Sequence, residues 1–412
     1  MIFASMILKE SLRKVVKEQR RDLESSEQGI IREVISGIDV DIPFAHIISG
    51  IRRSGKSTLL RQLLSKMPNF YYLNFEDTRL QPFETSDFEK LVEIFAEEFG
   101  ESKFYLFDEI QNIQNWEIFV RSGLDKDKRF LITGSNASML SSELGTRLTG
   151  RHLNTELFPF SYKEVLSMKN ETPGTESFKN YLTDGGFPEY AKYSKSETLR
   201  ELLNDIIQRD IVARYKISNS KILFEMAIYL LTNSGKEFTY NALKKTFGLG
   251  SVNTAISFVS YLEESYLLFS IKKFDFSLKK QLVNPKKIYS IDNGLSQANS
   301  ASLSSDIGRL LENAVFIQLR RKHKDIFYFR VAGECDFVVK EQNRIIMAVQ
   351  VTYTLSEDNK NRELNGLMEA VEYFKLSEGL LLTFDQEDYF RIGDKTIQVK
   401  PVWKWSMEAS TT

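Results

Sequence analysis

The run Gly50-Ile51-Arg52-Arg53-Ser54-Gly55-Lys56-Ser57 sets two glycines, a lysine and a hydroxyl at the intervals of a phosphate-binding turn, with Thr58 next in line. Gly50 and Gly55 let the backbone bend without a Cβ, so consecutive N–H groups can point inward at β- and γ-phosphate oxygens. Lys56 would place an ammonium between those two phosphates, and Ser57 would lend its hydroxyl to the shell of a magnesium ion. A second chemical pair is Asp108-Glu109. Asp108 would hold the magnesium through water and the Ser57 hydroxyl, and Glu109 could polarise an attacking water as general base. Ser135 and Asn136 are candidate sensors of the γ-phosphate or the lytic water, and either could instead cap a helix. Arg147 and Arg151 read as surface charges or as an arginine finger offered to a neighbouring subunit.

These groups need strands that end where they begin. The apolar run Phe44–Ser49 reads as a buried strand feeding the turn, and Thr58–Leu64 has helical spacing, which is the strand, loop, helix context of a P-loop. Phe70–Phe75 reads as a second strand and Phe88–Phe99 as a helix. Lys103–Phe107 is a third strand delivering Asp108-Glu109 at its carboxyl end, where open α/β sheets bind ligands. Arg129–Thr133 is a fourth strand, followed by a helix over 137–144 and a fifth strand at His152–Leu157. Upstream, Leu8–Gly37 reads as a charged helix bracing this core.

Taken with Thr133-Gly134-Ser135-Asn136 and the Arg147/Arg151 segment, the Gly50–Ser57 and Asp108-Glu109 pairing resembles the AAA-type ATPases of bacteria and archaea. The set Arg52–Ser57, Leu148-Thr149-Gly150-Arg151, Leu157–Ser161 and Gly185-Gly186-Phe187-Pro188-Glu189 is similar to one branch of them, whose members carry a C-terminal domain of unknown function. The resemblance covers nearly the whole chain. It implies a five-stranded parallel core with the P-loop strand central, ATP hydrolysis with Mg2+, and assembly into a ring or homo-oligomer.

Beyond the fifth strand, a helical extension is expected over about 158–215, with a tight bend at Gly185–Pro188 that would serve as a hinge or lid. Residues 216–293 read as a winged helix: helices at Ile222–Thr232 and Thr239–Phe247, then a third capped by Ser251 that buries Val252, Ala255, Ile256, Val259 and Leu262. Its ribbon, Tyr266–Ile271 and Lys287–Ile291, gathers Lys272, Lys273, Lys279, Lys280, Lys286 and Lys287. These could neutralise duplex DNA phosphates or simply keep a hairpin soluble, while Glu263 and Glu264 would oppose a phosphate backbone.

Residues 294–412 are α/β again, in an order resembling the restriction-endonuclease-like, PD-(D/E)XK, nuclease fold. A second metal site would draw on Glu312, Asp336 and Gln350, with Glu334 and Glu363 nearby. Thr352 stands where that motif has lysine, so the chemistry reads as degenerate.

Bulk properties limit the alternatives. A length of 412 residues suggests roughly two to three domains, and a 42% hydrophobic fraction suffices for packed cores. The single cysteine, Cys335, excludes an intramolecular disulfide and agrees with a reducing compartment. No apolar run approaches the ~20 residues of a membrane span, and Met1–Leu8 runs apolar then basic, the reverse of a secretory signal. A net charge of −1 confines any nucleic-acid contact to a local patch. The expectation is a cytoplasmic, membrane-free AAA-type ATPase of α/β class, coupled to a winged helix and a nuclease-like domain. Two alternatives are an ATP-regulated metal-dependent nuclease and a nucleotide-gated protein scaffold.

Overall fold

All five side chains of Ala45–Ser49 (β1) are buried, the pattern of a strand covered on both faces. The computed structural model describes residues 7–137, 147–301 and 306–409, and the chain divides into two units, Met1–Leu157 and Phe158–Thr412. In the first unit β1 joins Tyr71–Asn74 (β2), Phe104–Asp108 (β3), Arg129–Gly134 (β4) and His152–Glu156 (β5) in a parallel sheet of order β2-β3-β4-β1-β5. The central strand is therefore β4, not the P-loop strand. β1 lies between β4 and β5, and this puts the residues that follow β1, β3 and β4 at one end of three neighbouring strands.

Alternation along the strands sends Ala45, Ile47, Tyr71, Leu73, Tyr105, Phe107, Phe130 and Ile132 into one core. Ile48, Tyr72, Phe104, Leu106 and Leu131 enter the other, where Leu59 and Leu60 of the P-loop helix pack. The charged N-terminal segment forms a helix over Lys9–Ser25 that buries Leu12, Val15, Val16 and Leu23. Its Gln19 exchanges hydrogen bonds with the backbone of Asn74 on the edge strand β2, occupying groups that an exposed edge would offer to another chain. Of the helix expected over 137–144, residues 138–144 lie outside the described residues.

The second unit holds a nine-stranded mixed sheet. Glu237–Phe238 (β6), Leu268–Lys273 (β7) and Lys286–Ser290 (β8) come from the segment read as a winged helix. Asp325–Arg330 (β9), Glu334–Glu341 (β10), Arg344–Val351 (β11), Glu378–Thr383 (β12), Asp388–Ile392 (β13) and Lys395–Pro401 (β14) come from the segment read as nuclease-like. Their order is β13-β14-β12-β11-β10-β9-β7-β8-β6. β7 pairs in parallel with β9, Lys272 opposite Phe327, so the two segments share one hydrogen-bonded sheet. The connection from β7 to β8, expected as a loop, contains a short helix over Leu278–Val283.

Three helices precede or interrupt the ribbon at Ser220–Thr232, Tyr240–Thr246 and Val252–Glu264, and the Ser251 hydroxyl accepts from Thr254 N as an N-cap. The third helix departs from expectation on one face. Ile256 is exposed and Phe258 is buried, because the buried stripe runs Ala255, Phe258, Val259, Leu262 at i, i+3, i+4, i+7.

The Gly185-Gly186 bend is pinned rather than free. Gly186 N donates to Asp292 Oδ2 at 2.6 Å, and Leu295 N donates to the other carboxylate oxygen at 2.9 Å. Gly185 has φ +72°, and a Cβ there would stand 2.1 Å from Asp292 Oδ1, so the glycine is required by close approach as well as by backbone sign. Burial pushes the Asp292 carboxyl up to about 6, against the pull of the N–H groups of Gly186, Leu295 and Gly294 and the charge of Arg321. The fold favours its protonated form. Its contribution to stability is thus complete below the ordinary value of 3.8 and is lost as pH rises through about 6. In urea titrations, the stability of the natural chain relative to Asp292→Asn should fall by roughly 2 kcal/mol between pH 4.5 and 7.5, with most of the loss before pH 6.5.

Candidate active site

Between β1 and the helix Lys56–Leu63 the chain turns tightly enough that its side chains are dictated by space. A Cβ at Gly50 would lie 2.2 Å from the Leu157 carbonyl oxygen, and Gly55 has φ +95°. Arg53 also takes a left-handed conformation, φ +62°. Arg32, buried beneath the loop, donates from Nη1 to Ser54 O at 2.7 Å and receives support from Gln62, whose Oε1 accepts from Arg32 N at 3.2 Å. Nothing in the sequence pattern marks Arg32, since it lies in the irregular stretch before β1.

Lys56 is buried and its Nζ donates to Gly50 O at 3.1 Å and Ile51 O at 3.2 Å, with Glu109 Oε1 at 3.3 Å. Parallel pairing sets Asp108 opposite Asn74 at the carboxyl end of β3. The Asp108 carboxylate is fully buried, and it accepts hydrogen bonds from Thr133 Oγ1, from Tyr72 OH at 3.3 Å and from the Ser57 hydroxyl. Thr133 Oγ1 in turn accepts from Glu109 N at 3.0 Å. Glu109 has φ +52°, and Gln111 Nε2 donates to its Oε2 at 2.5 Å.

Burial and the neighbouring Glu109 charge push the Asp108 carboxyl up. Burial also works against the charge of Glu109, but the Lys56 ammonium, Gln111 and Arg52 together outweigh it and hold that carboxyl below its ordinary value. Tyr72 is raised by burial and by Asp108.

Lys56, Ser57, Asp108 and Glu109 thus meet at one place. Ser135 Oγ is within 3.4 Å of Gln111 Nε2, and Asn136 is buried after it. The polar group at the end of β4 that touches the acidic pair is Thr133, which sequence reasoning passed over as the last residue of a strand. Tyr72, read only as part of a strand, and Gln111, not singled out, were missed likewise. Arg52 Nη1 pairs with Glu76 at 2.8 Å. Arg147 pairs with Glu117 at 2.5 Å, and Arg151 with Asp125 at 2.7 Å.

The donor set suits a triphosphate and its metal. Two polar atoms here, Ser54 Oγ and Gln111 Oε1, are buried with no hydrogen-bond partner among the described residues, and buried polar atoms are ordinarily satisfied. A cleft of about 400 Å3 opens beside Ser57, lined by Arg61, Tyr72, Asn74 and Glu76 among others.

In the second unit, Glu312 and Asp336 approach each other, but they do so around Lys287. Its Nζ lies 3.2 Å from Glu312 Oε1 and 3.1 Å from Asp336 Oδ1. Gln350 is committed elsewhere: its Oε1 accepts from Asp336 N at 3.1 Å and its Nε2 donates to Glu363 Oε2 at 2.6 Å. Among the described residues no group of three or more His, Cys, Asp or Glu side chains is arranged to hold a metal ion.

The ribbon lysines divide by burial. Lys279 and Lys280 are exposed, and Lys272 and Lys273 are half-buried. Lys286 and Lys287 are buried and do not belong to a surface patch, Lys286 lying over the Tyr240 ring at 4.4 Å. Glu263 and Glu264 are turned inward: Glu263 Oε1 accepts from Ser270 N and Oγ, and Glu264 accepts from Ser260 and Tyr215. Among the described residues no helix is long and apolar enough to cross a membrane.

Comparison with known proteins agrees with the arrangement of the first unit. An AAA domain family matches residues 43–166, and two families described only as domains of unknown function, DUF8612 and DUF4143, match 175–305 and 307–405. The uncharacterized protein MJ1544 of Methanocaldococcus jannaschii is 34% identical over 395 residues, covering 88% of this chain and 88% of that protein. An uncharacterized protein of Haemophilus influenzae is 29% identical, covering 85% of this chain and 92% of its own length. Among solved structures, the Walker-type ATPase PABY2304 of Pyrococcus abyssi is 15% identical, covering 71% of this chain and 96% of that one, with a TM-score of 0.37. The replication initiator DnaA bound to AMPPCP and single-stranded DNA is 14% identical, covering 61% of this chain and 91% of that one, with a TM-score of 0.30. The chain belongs to the family of the Methanocaldococcus jannaschii protein MJ1544, with an AAA-type P-loop ATPase domain followed by two domains of unknown function.

Proposed function

We propose that the first unit binds ATP with Mg2+ and hydrolyses it, and that the second unit carries the output. The observation that supports this most directly is the meeting of Lys56, Ser57, Asp108 and Glu109 beside the unpartnered Ser54 Oγ. Lys56 would exchange the carbonyls of Gly50 and Ile51 for β- and γ-phosphate oxygens, while the backbone N–H groups from Ile51 to Thr58 hold the remaining phosphate charge. Bound magnesium supplies charge neutralisation on the β- and γ-oxygens, with Ser57 and Asp108 as the residues that would hold it.

Glu109 is the general base. Its partner Lys56 keeps it ionised, and as that ammonium turns to phosphate the carboxylate gains basicity to take the proton of a water attacking the γ-phosphorus. Gln111 and Thr133 are positioning residues, one holding Oε2 and the other the backbone N–H of Glu109. Arg147, with Arg151 second, is the finger of this reading. Each would have to leave its own acid, Glu117 or Asp125, to serve a neighbouring subunit.

Lys279 and Lys280, exposed on the β7–β8 connection, and the half-buried Lys272 and Lys273 at the end of β7 support duplex DNA as the partner of the second unit. The inward turn of Glu263 and Glu264 removes the repulsion they would otherwise exert. A protein partner is favoured by a different observation: Phe276, Leu278, Leu282 and Val283 are exposed on the same connection.

Lys56→Ala should cost at least ~10-fold in ATP affinity by fluorescent-nucleotide titration. Glu109→Gln should bind ATP normally while kcat falls by ~10² or more. Normal turnover by Glu109→Gln would remove it as the base. If the finger acts between chains, ATPase rate per chain should climb with protein concentration, and Arg147→Ala should flatten that curve. For the lysines, duplex affinity should drop steeply with salt, with the logarithmic slope reduced by about 2 in the Lys279→Ala/Lys280→Ala double variant. Affinity indifferent to salt would favour the protein partner.

A further inference from the structure

Three carboxylates in the second unit converge on a single nitrogen. Lys287 Nζ, on β8, lies 2.7 Å from Glu334 Oε1, 3.1 Å from Asp336 Oδ1 and 3.2 Å from Glu312 Oε1. An ammonium has three N–H donors, and here each has its own carboxylate. The Lys287 side chain is 5% exposed, so these bonds are made out of water.

The oxygens that would face a metal are already committed. Asp336 accepts from Val351 N at Oδ2, 3.0 Å, and from Lys287 Nζ at Oδ1. Glu312 Oε1 accepts a second bond from Tyr289 OH at 2.6 Å. Glu334 spends its other oxygen on Arg330, which also pairs with Glu237 at 3.0 Å. Gln350, the third member of the expected set, has both polar atoms engaged with Asp336 and Glu363. The Lys287 and Arg330 cations offset two of the three carboxylate charges, Arg330 being shared with Glu237.

We propose that Lys287 is a built-in cation occupying the place a divalent metal would take among Glu312, Glu334 and Asp336, so that the nuclease-like segment is closed to metal and does not cut nucleic acid. The lysine belongs to the winged-helix ribbon and the acids to the helix Ile307–Arg320 and to β10. The same contact therefore fastens the two segments together, in addition to the β7–β9 pairing. Admitting a metal would require moving a buried ammonium away from its three partners, and breaking a buried pair leaves an uncompensated charge. This is also why Thr352 can stand where the nuclease motif has lysine: the ammonium enters from another strand and serves as ion-pair partner rather than as nucleophile support.

The test uses the full chain without nucleotide, so that the P-loop site does not draw metal. Mn2+ binding is followed by electron paramagnetic resonance, and nicking of supercoiled plasmid is followed with Mg2+ or Mn2+. The natural chain should bind no Mn2+ that Asp336→Asn removes, and should leave plasmid intact. Lys287→Ala should acquire one Mn2+ per chain, with a thermal midpoint raised by Mn2+, and adding Asp336→Asn should abolish both effects. The proposal is overturned if the natural chain binds Mn2+ or nicks plasmid in a way that Asp336→Asn removes. It is equally overturned if folded Lys287→Ala acquires no Mn2+. Lys287→Met, closer in volume, repeats this arm if the alanine variant does not fold, and the measurement on the natural chain decides if neither does.

Discussion

A carboxylate buried at the end of a parallel strand has to be surrounded by donors, and the first unit is arranged around meeting that demand at Asp108. Moving an unpaired charge out of water is too costly to tolerate, so the neighbours of β3 are chosen by what they can donate. β2 contributes Tyr72, β4 contributes Thr133, and the helix after the P-loop contributes Ser57. This fixes the order in which strands must lie. Asp108 can be reached from both sides only because β3 stands between β2 and β4, with the P-loop strand beyond β4. The hydroxyl donors relieve only part of the burial that raises the Asp108 carboxyl.

The meeting of Lys56, Ser57, Asp108 and Glu109 was legible because its parts are local. A glycine-flanked turn, a lysine and a hydroxyl occupy eight consecutive positions, and the acidic pair follows an uninterrupted apolar strand. Strands β1 to β5 were placed within a residue or two, since alternation into two cores leaves continuous apolar runs. Residues that support the site through space were not legible. Arg32, Tyr72, Gln111 and Thr133 have no distinguishing neighbours in sequence, and each acquires its role only when strands pair or the loop folds over it.

The second unit shows a different failure. Its longer helices and most of its strands were found, but lysine spacing on a predicted ribbon was read as surface charge. Burial cannot be inferred from a Lys-Lys pair, and Lys286 and Lys287 turn out to be interior. Similarly, β13 and β14 were missed because Asp388–Ile392 is largely exposed and lacks the apolar density of a core strand. The glycine pair at 185–186 was identified as a turn, while its reason lies about a hundred residues away in the carboxylate of Asp292.

Two of the buried lysines, Lys56 and Lys287, set the two units apart in kind. Lys56 is held largely by carbonyl oxygens of its own loop, with one carboxylate beyond, and neutral hydrogen bonds contribute only about 0.5–1.5 kcal/mol each, net. Such an ammonium can be drawn off by a phosphate, which offers more charge than the carbonyls it replaces. Lys287 is held by three carboxylates, and removing one partner of a buried ion pair costs on the order of 3–5 kcal/mol. No ordinary ligand repays the loss of three. The first lysine is therefore held more loosely than the second, and the difference follows from what surrounds each nitrogen rather than from the residue itself.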